Sequence, residues 1–150
     1  MPSIVASHIY TMVALAVVGA LLIATFNSYT TSLKTTSESE QLKNLLSHVA
    51  AKGNELLTIT ATTNSSTRIS IPLPATIGQK QYWLRIRNDS SNTWIEGSLG
   101  QIIEKTEPNR LFLPKGTSAS GYFVGGYGSA ILESYMNGST PQLNLTFIGG

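Results

Sequence analysis

The sequence predicts an α+β protein in which a long N-terminal hydrophobic α-helix is followed by an antiparallel β-sandwich of immunoglobulin-like type. The first observation is that residues 1–33 contain no Asp, Glu, Lys or Arg. The second is that apolar residues recur with a helical period up to about residue 52 and alternate with polar residues from Leu56 onward. We therefore expect a helical domain over residues 1–54 and a β-sandwich head domain over residues 55–150.

The helical domain has two parts of different character. Residues 9–26 are almost wholly apolar, and a helix of that length rises about 27 Å, close to the roughly 30 Å of a bilayer's hydrocarbon core. Residues 32–52 are amphipathic, with a narrow apolar stripe that predicts packing against the head domain. The hydroxyl-rich residues 27–37 are weak helix formers and favour a kink, and Gly53-Asn54 predicts the end of the helix.

The apolar segment lacks the pattern of a cleaved signal peptide. No Lys or Arg precedes it, and no A-x-A site follows it. We therefore expect the helix to be retained. Beyond the segment, two lysines are offset by two glutamates over residues 34–43, so the basic residues do not by themselves orient the chain in a membrane.

Small residues recur along the apolar segment at a spacing that suits close helix packing. Ala16, Ala20 and Ala24 form a small-xxx-small ladder. Such ladders let helix backbones approach each other where no hydrophobic driving force acts between helices. The residues that we predict to form helix–helix contacts on assembly are Ile9, Val13, Ala16, Val17, Gly19, Ala20, Ile23, Ala24 and Phe26.

Four Asn-x-Ser/Thr sequons lie in the head domain, at Asn64, Asn88, Asn137 and Asn144. A chain this rich in Ser and Thr would contain about two such N-glycosylation acceptors by chance, so four is a mild excess. The first three fall in predicted turns and Asn144 falls on the polar side of a predicted strand. We therefore expect all four to be solvent-exposed, which favours a head domain outside the cytoplasm.

Short alternating segments predict seven to nine strands in the head domain. They cover residues 57–62, 68–73, 82–87, 93–99, 102–105, 111–113, 122–127, 130–136 and 142–147. Pro72 and Pro74 predict that the second segment is an edge strand or its end. Residues 88–92 predict a hairpin loop, and Asn137-Gly138 predicts a tight turn.

The alternation also predicts which side chains face the core. In the third segment the inward residues are Tyr82, Leu84 and Ile86 and the outward residues are Trp83, Arg85 and Arg87. Exposed Trp83 and Trp94 with the two arginines predict either a patch for carbohydrate or a partner or, as the preferred interpretation, cross-strand aromatic packing. Residues 121–128 are Gly-rich without the Lys-Ser/Thr of a phosphate loop, so we expect these glycines to mark a bulge or a close backbone approach.

Composition and spacing argue against several functions. The chain has no Cys and therefore no disulfide or thiolate metal site. Its net charge is +2 and its basic residues are scattered, unlike a nucleic-acid-binding face. His8 and His48 lie on opposite halves of the helical domain and cannot meet within one subunit. We expect no metal, no cofactor and no nucleic-acid partner.

The carboxylates give no catalytic pattern. Glu96, Glu104, Glu107 and Glu133 lack a spacing that predicts a paired site, so we expect them to be solvated. The chain is therefore not expected to be an enzyme. A membrane-anchored enzyme is the third hypothesis, and no group of residues supports it.

An uncharged N-terminal helix that continues into an amphipathic segment and then a hydroxyl-rich, sequon-bearing β domain resembles the archaeal type IV pilin superfamily. Residues 71–78, IPLPATIG, and residues 82–86, YWLRI, are similar to a phrase that recurs in the head domains of archaeal pilin-like proteins. The resemblance in layout covers the whole chain, and it implies a pilin-like head. Prepilins of this type carry a short basic leader before the apolar segment, and this sequence begins at Met1 without one. Either the leader was removed before this numbering, or the protein is a relative that never has one.

The resemblance implies two functions of different class. The first is a structural subunit of a cell-surface filament for adhesion or motility. Its helices pack in the filament core after a membrane-inserted stage, its glycosylated heads lie outside, and its partners are further copies or other pilin-like subunits. The second is a membrane-anchored protein that resembles the archaellum stator proteins and binds the surface layer through its β domain. The missing leader favours this second function.

Overall fold

The computed structural model describes residues 2–101 and 108–148, and it confirms the α+β fold class. One long apolar helix precedes a mostly antiparallel sheet of seven strands. The elements are α1 (Pro2–Thr63), β1 (Thr67–Ile71), β2 (Tyr82–Asn88), β3 (Thr93–Leu99), β4 (Asn109–Phe112), β5 (Ser118–Val124), β6 (Ser129–Asn137) and β7 (Thr140–Ile148).

Helix α1 is longer than predicted and runs for 62 residues. The predicted end at Gly53-Asn54 and the predicted strand over 57–62 are wrong. Leu56, Leu57 and Thr60 are buried at helical spacing, so they continue the apolar stripe. A Cβ on Gly53 would lie 2.8 Å from the Leu143 side chain, so this glycine marks a close approach of the sheet rather than a stop.

The exposed hydroxyl groups in this last part of α1 are satisfied within the helix, so they do not oppose it. Thr58 and Thr62 Oγ1 donate to the carbonyls of Asn54 and Thr58 at 2.8 and 2.9 Å. Helix α1 ends at Thr63. The next residue, Asn64, has a left-handed φ of 54°, and its N–H donates to the Thr60 carbonyl at 2.9 Å. Asn is one of the few residues that adopt this C-terminal conformation readily.

The chain divides into two compact units between Ser37 and Glu38. In the first unit, the described side chains from residue 5 onward are exposed, apart from partly buried Gly19. The second unit contains the remainder of α1 and the sheet. It has one hydrophobic core, to which the helix contributes Leu42, Leu46, Val49, Ala50, Leu56 and Leu57.

All seven strands are connected by hydrogen bonds in the order β1-β6-β7-β5-β2-β3-β4. Strand β5 joins two groups, since residues 118–121 pair with β7 and residues 122–124 pair with β2. The β5–β7 pairing is parallel and the others are antiparallel. The head was predicted to be a sandwich, and its strands form two groups that share β5. The second part of α1 packs into the same hydrophobic core as these strands.

Most predicted strands are present, and β1 is an edge strand as Pro72 and Pro74 predicted. The prediction for β5 is displaced, because it began the strand at Tyr122. Ala119 is instead buried and pairs with Leu143. Strand β4 begins at Asn109, two residues earlier than predicted. The predicted segment 102–105 lies outside the described residues.

The hairpin between β2 and β3 has the predicted loop. Asp89 Oδ1 accepts hydrogen bonds from the backbone N–H groups of Ser91 and Asn92 at 2.8 and 2.7 Å. These two bonds hold the pKa of Asp89 below its ordinary range. The loop sets the register in which Arg85 lies directly opposite Glu96.

Residues 71–82, which carry the phrase IPLPATIG, are fixed by Tyr82. The Tyr82 hydroxyl donates to the Pro74 carbonyl at 2.6 Å, and its ring lies 6.2 Å from that of Phe123 between centroids. Burial raises the pKa of Tyr82 to about 12. The side chain therefore stays neutral and anchors this loop over the core.

Gly121, where β5 changes partner, should be intolerant of a side chain. Its φ is +114°, and an added Cβ would overlap the Leu145 carbonyl. We expect Gly121→Ala to lower the free energy of unfolding by about 3 kcal/mol, because backbone strain and overpacking add. Urea unfolding of the full chain in detergent, followed by tryptophan fluorescence, measures this.

Gly116 provides the matched control. Its φ is +79°, but no atom lies within 4 Å of an added Cβ. Gly116→Ala should therefore cost only about 1 kcal/mol of backbone strain. Equal losses in the two variants would contradict the close-approach interpretation of Gly121.

Candidate functional site

The first candidate site is the apolar segment of α1, which has no partner within the described chain. Of the predicted helix–helix contact residues, Ile9, Val13, Val17, Ile23 and Phe26 are each more than half exposed. Ala16, Ala20 and Ala24 are exposed, and Gly19 is partly so. At 3.6 residues per turn, these nine positions cover one half of the helix surface.

The other half of this segment is also apolar. Leu15, Val18, Leu21 and Leu22 are each more than half exposed. A helix that is apolar all round belongs in an environment that surrounds it, such as lipid or other helices. Among the described residues, α1 is the one helix long and apolar enough to cross a membrane.

Residues 27–37, for which the sequence favours a kink, are helical throughout. The threonine hydroxyls here bond to carbonyls four residues earlier. The donors are Thr30, Thr31, Thr35 and Thr36, at 2.9–3.0 Å. Since these four hydroxyls are satisfied within the helix, apolar neighbours can cover them at small cost.

The four sequons lie at the ends of elements or on a strand. Asn64 follows α1, Asn88 and Asn137 end β2 and β6, and all three are exposed. Asn144 lies within β7, opposite Glu133 and Ser120. It is only partly exposed, which corrects the expectation of full exposure.

The second candidate site is the face of β2, β3 and β4 that points away from the core, with Glu96 at its centre. Strand register places Arg85, Glu96 and Arg110 in one row. Arg85 Nη2 lies 2.7 Å from Glu96 Oε1. Trp94 Nε1 and Arg110 Nε donate to Glu96 Oε2 at 2.9 and 3.2 Å. The solvated role predicted for Glu96 is therefore wrong, since only 1% of this residue is exposed.

Electrostatics hold Glu96 ionised. Burial alone would raise the pKa of Glu96, but hydrogen bonds from Trp94 and Arg85 and the charges of Arg85 and Arg110 outweigh it and hold the pKa below its ordinary range. Each arginine also covers an indole ring. Arg85 Cζ lies 5.3 Å from the centroid of Trp83, and Arg110 Cζ lies 5.5 Å from that of Trp94.

An aromatic cleft adjoins this row and has a volume of about 490 Å³. Its lining includes Trp83, Tyr122, Tyr127, Phe147, Gln81 and Gln101. The Phe147 ring lies edge-on to both tyrosines, with centroid distances of 6.0 and 6.3 Å. Gln81 Nε2 donates to the Gly125 carbonyl at 3.3 Å.

Trp83 was predicted to be exposed and is only 4% exposed. The alternation placed it on the correct side of the sheet, beside Arg85 of the same strand, which packs on its ring. The preferred interpretation, cross-strand aromatic packing, also missed Tyr127 and Phe147. Their contact joins the turn after β5 to the end of β7, and no local pattern signals it.

No group of three or more His, Cys, Asp or Glu that could hold a metal ion occurs within residues 2–101 and 108–148. His8 and His48 are both exposed on α1. Glu133 forms a surface ion pair with Arg68 at 3.0 Å. Glu104 and Glu107 lie outside the described residues.

The fold and these two sites define a class of protein: a long, apolar N-terminal helix joined to a mostly antiparallel β head. Over residues 3–106 the chain matches a family of unknown function, DUF7266. The match covers more than half of the chain, and the protein belongs to this family. No curated protein and no solved structure matches it.

Proposed function

We propose that this protein is a structural subunit of an archaeal type IV pilus-like cell-surface filament. The observation that carries the proposal is that the apolar segment is exposed on every side, while the second compact unit, which begins at Glu38, has its own hydrophobic core. The segment therefore needs an external apolar environment. In the proposed filament, the helices of neighbouring copies provide it after a membrane-inserted stage.

Two further features support packing among helices. The Ala16, Ala20 and Ala24 ladder lets neighbouring backbones approach closely. The hydroxyls of Thr30 and Thr31 bond within their own helix, so the packed region can extend past Phe26 through the uncharged residues up to Leu33. A membrane anchor alone needs about 20 apolar residues.

The head would form the outer surface of this filament. Three of its sequons are exposed, and N-glycans at Asn64, Asn88 and Asn137 would then face the surroundings. Adhesion or motility is the role that such a surface serves. The chain in this proposal acts as a scaffold and performs no catalysis.

A specific observation also favours the second function, a membrane-anchored, stator-like protein. The apolar run over residues 9–26 rises about 27 Å, which matches one crossing of a bilayer. In this role the β domain would bind the surface layer, and the chain would remain in the membrane as an intact anchor.

Assembly of the purified full chain separates the two functions. The chain is extracted in detergent, the detergent is removed by dialysis with and without lipid, and the product is imaged by electron microscopy. A filament subunit should form regular thin filaments without lipid. A chain that stays monomeric and detergent-bound under all conditions, or that only enters vesicles, would refute the filament proposal.

A further inference from the structure

We propose that the aromatic cleft on the head binds carbohydrate. The inference concerns the head alone and goes beyond the proposed filament function. It rests on the rings that line the cleft, on the absence of charge from the described lining and on the position of one sequon.

The rings provide flat apolar surfaces at an open site. Tyr122 and Tyr127 are 52% and 56% exposed, although both rings are held against Phe147. A pyranose has apolar C–H faces and polar hydroxyl edges, so a fixed aromatic ring packs against the face while amides and hydroxyls bond to the edge. The cleft volume of about 490 Å³ falls within the roughly 300–1,000 Å³ typical of small-ligand sites.

Trp83 supplies a fixed part of the cleft wall. Its side chain lines the cleft and is 4% exposed, and the Arg85 guanidinium packs on its ring at 5.3 Å from the centroid. Its indole Nε1 is buried, so the ring contributes apolar surface rather than a hydrogen bond to the ligand.

The described lining contains no charged side chain, which favours a neutral ligand. Arg85 covers the Trp83 ring, and its charge is neutralised by Glu96 at 2.7 Å. A quaternary ammonium would also suit an aromatic cage. Here no described lining carboxylate attracts such a cation.

One sequon adjoins the cleft. Asn144 and Thr146 line a depression that shares Tyr122 and Phe147 with the cleft. A glycan on Asn144 would therefore begin beside the same rings. The carbohydrate comes either from this glycan or from saccharide in the surroundings, and the chemistry of the site is the same for both.

The first test uses full chain produced without glycosylation, in detergent, with methyl pyranosides of glucose, galactose, mannose and N-acetylglucosamine and with methyl-β-cellobioside. Saturation-transfer difference NMR should detect binding of at least one. Tyr122→Ala and Tyr127→Ala should each weaken it about tenfold or more, the effect of losing about 1.4 kcal/mol. The matched control is Phe112→Ala, because Phe112 is 65% exposed on the same face and does not line the cleft.

The second test separates the two sources. Chain isolated from its own cells, with Asn144 occupancy measured by mass spectrometry, should bind no soluble saccharide if the attached glycan fills the cleft, and Asn144→Gln should restore binding. Binding that is equal with and without an Asn144 glycan assigns the cleft to saccharide from outside. Absence of saccharide binding to the unglycosylated chain, binding that survives both tyrosine substitutions, or preferential binding of choline would each overturn the proposal.

Discussion

Glu96→Ala should lower the free energy of unfolding by about 3 kcal/mol. The substitution removes the buried carboxylate that accepts hydrogen bonds from Trp94 and two arginines, and it leaves these donors without their acceptor. The carboxylate is almost inaccessible and receives bonds from Arg85, Trp94 and Arg110. Both arginine side chains are partly exposed, so water compensates them in part. Urea unfolding of the full chain, followed by tryptophan fluorescence, measures the loss.

The matched control is Glu133→Ala. Glu133 pairs with Arg68 at 3.0 Å, but this pair lies at the surface. Exposed pairs contribute about 0–1 kcal/mol, so the control should change stability little. Equal effects of the two substitutions would contradict the central role given to Glu96.

The same carboxylate predicts a pH dependence. The pKa of Glu96 in the folded chain lies below the ordinary value of 4.5, so the folded state binds this proton less tightly than the unfolded chain. Its contribution to stability is therefore fully present above 4.5 and is lost as the pH falls through the lower folded pKa. Glu96→Gln should be less stable at pH 7 and should show a smaller loss below pH 4.5 than the original chain.

Ala20→Leu should reduce filament yield by more than tenfold, because the larger side chain separates helices that pack through the small-residue ladder. Ala20 is exposed in the described chain, so its substitution leaves the head intact. Leu also raises the apolar character of the segment, so membrane insertion should persist. Filament mass in the pelleted fraction, compared with chain in the membrane fraction, measures the effect.

Val18→Leu is the matched control for this experiment. Val18 lies on the half of the helix opposite the ladder and is already large and exposed. The same leucine introduced there should leave most of the yield. Unchanged yield in Ala20→Leu would remove the small-residue argument, and equal loss in both variants would show that the ladder has no special role.

The sequence predicts the helix and most strands because both depend on local periodicity. The failure at residues 57–62 has a physical cause: Leu57, Ile59 and Ala61 alternate with threonines, and threonine favours strands. The hydroxyls of this segment instead bond back along the helix, and Leu56, Leu57 and Thr60 reach the core. Tertiary burial here outweighed local preference.

The candidate sites differ in how far the sequence predicts them. The apolar segment is visible directly, because it depends on composition alone. The pairing of Arg85 with Glu96 could have been derived from the predicted hairpin, since pairing Asn88 with Thr93 fixes every later pair. The cleft could not have been derived from the sequence. Trp83, Tyr127 and Phe147 line it together because β5 pairs in parallel with β7, and no short pattern predicts that pairing.

The most direct test of the filament assignment is electron microscopy of sheared cell-surface material, with mass spectrometry to identify the chain in it. We expect regular thin filaments in which this protein is the major component, and the N-terminus found there will define its processing. Absence of the chain from the filaments, with recovery of intact chain in the membrane fraction, would contradict the filament assignment and support the anchored, surface-layer-binding role.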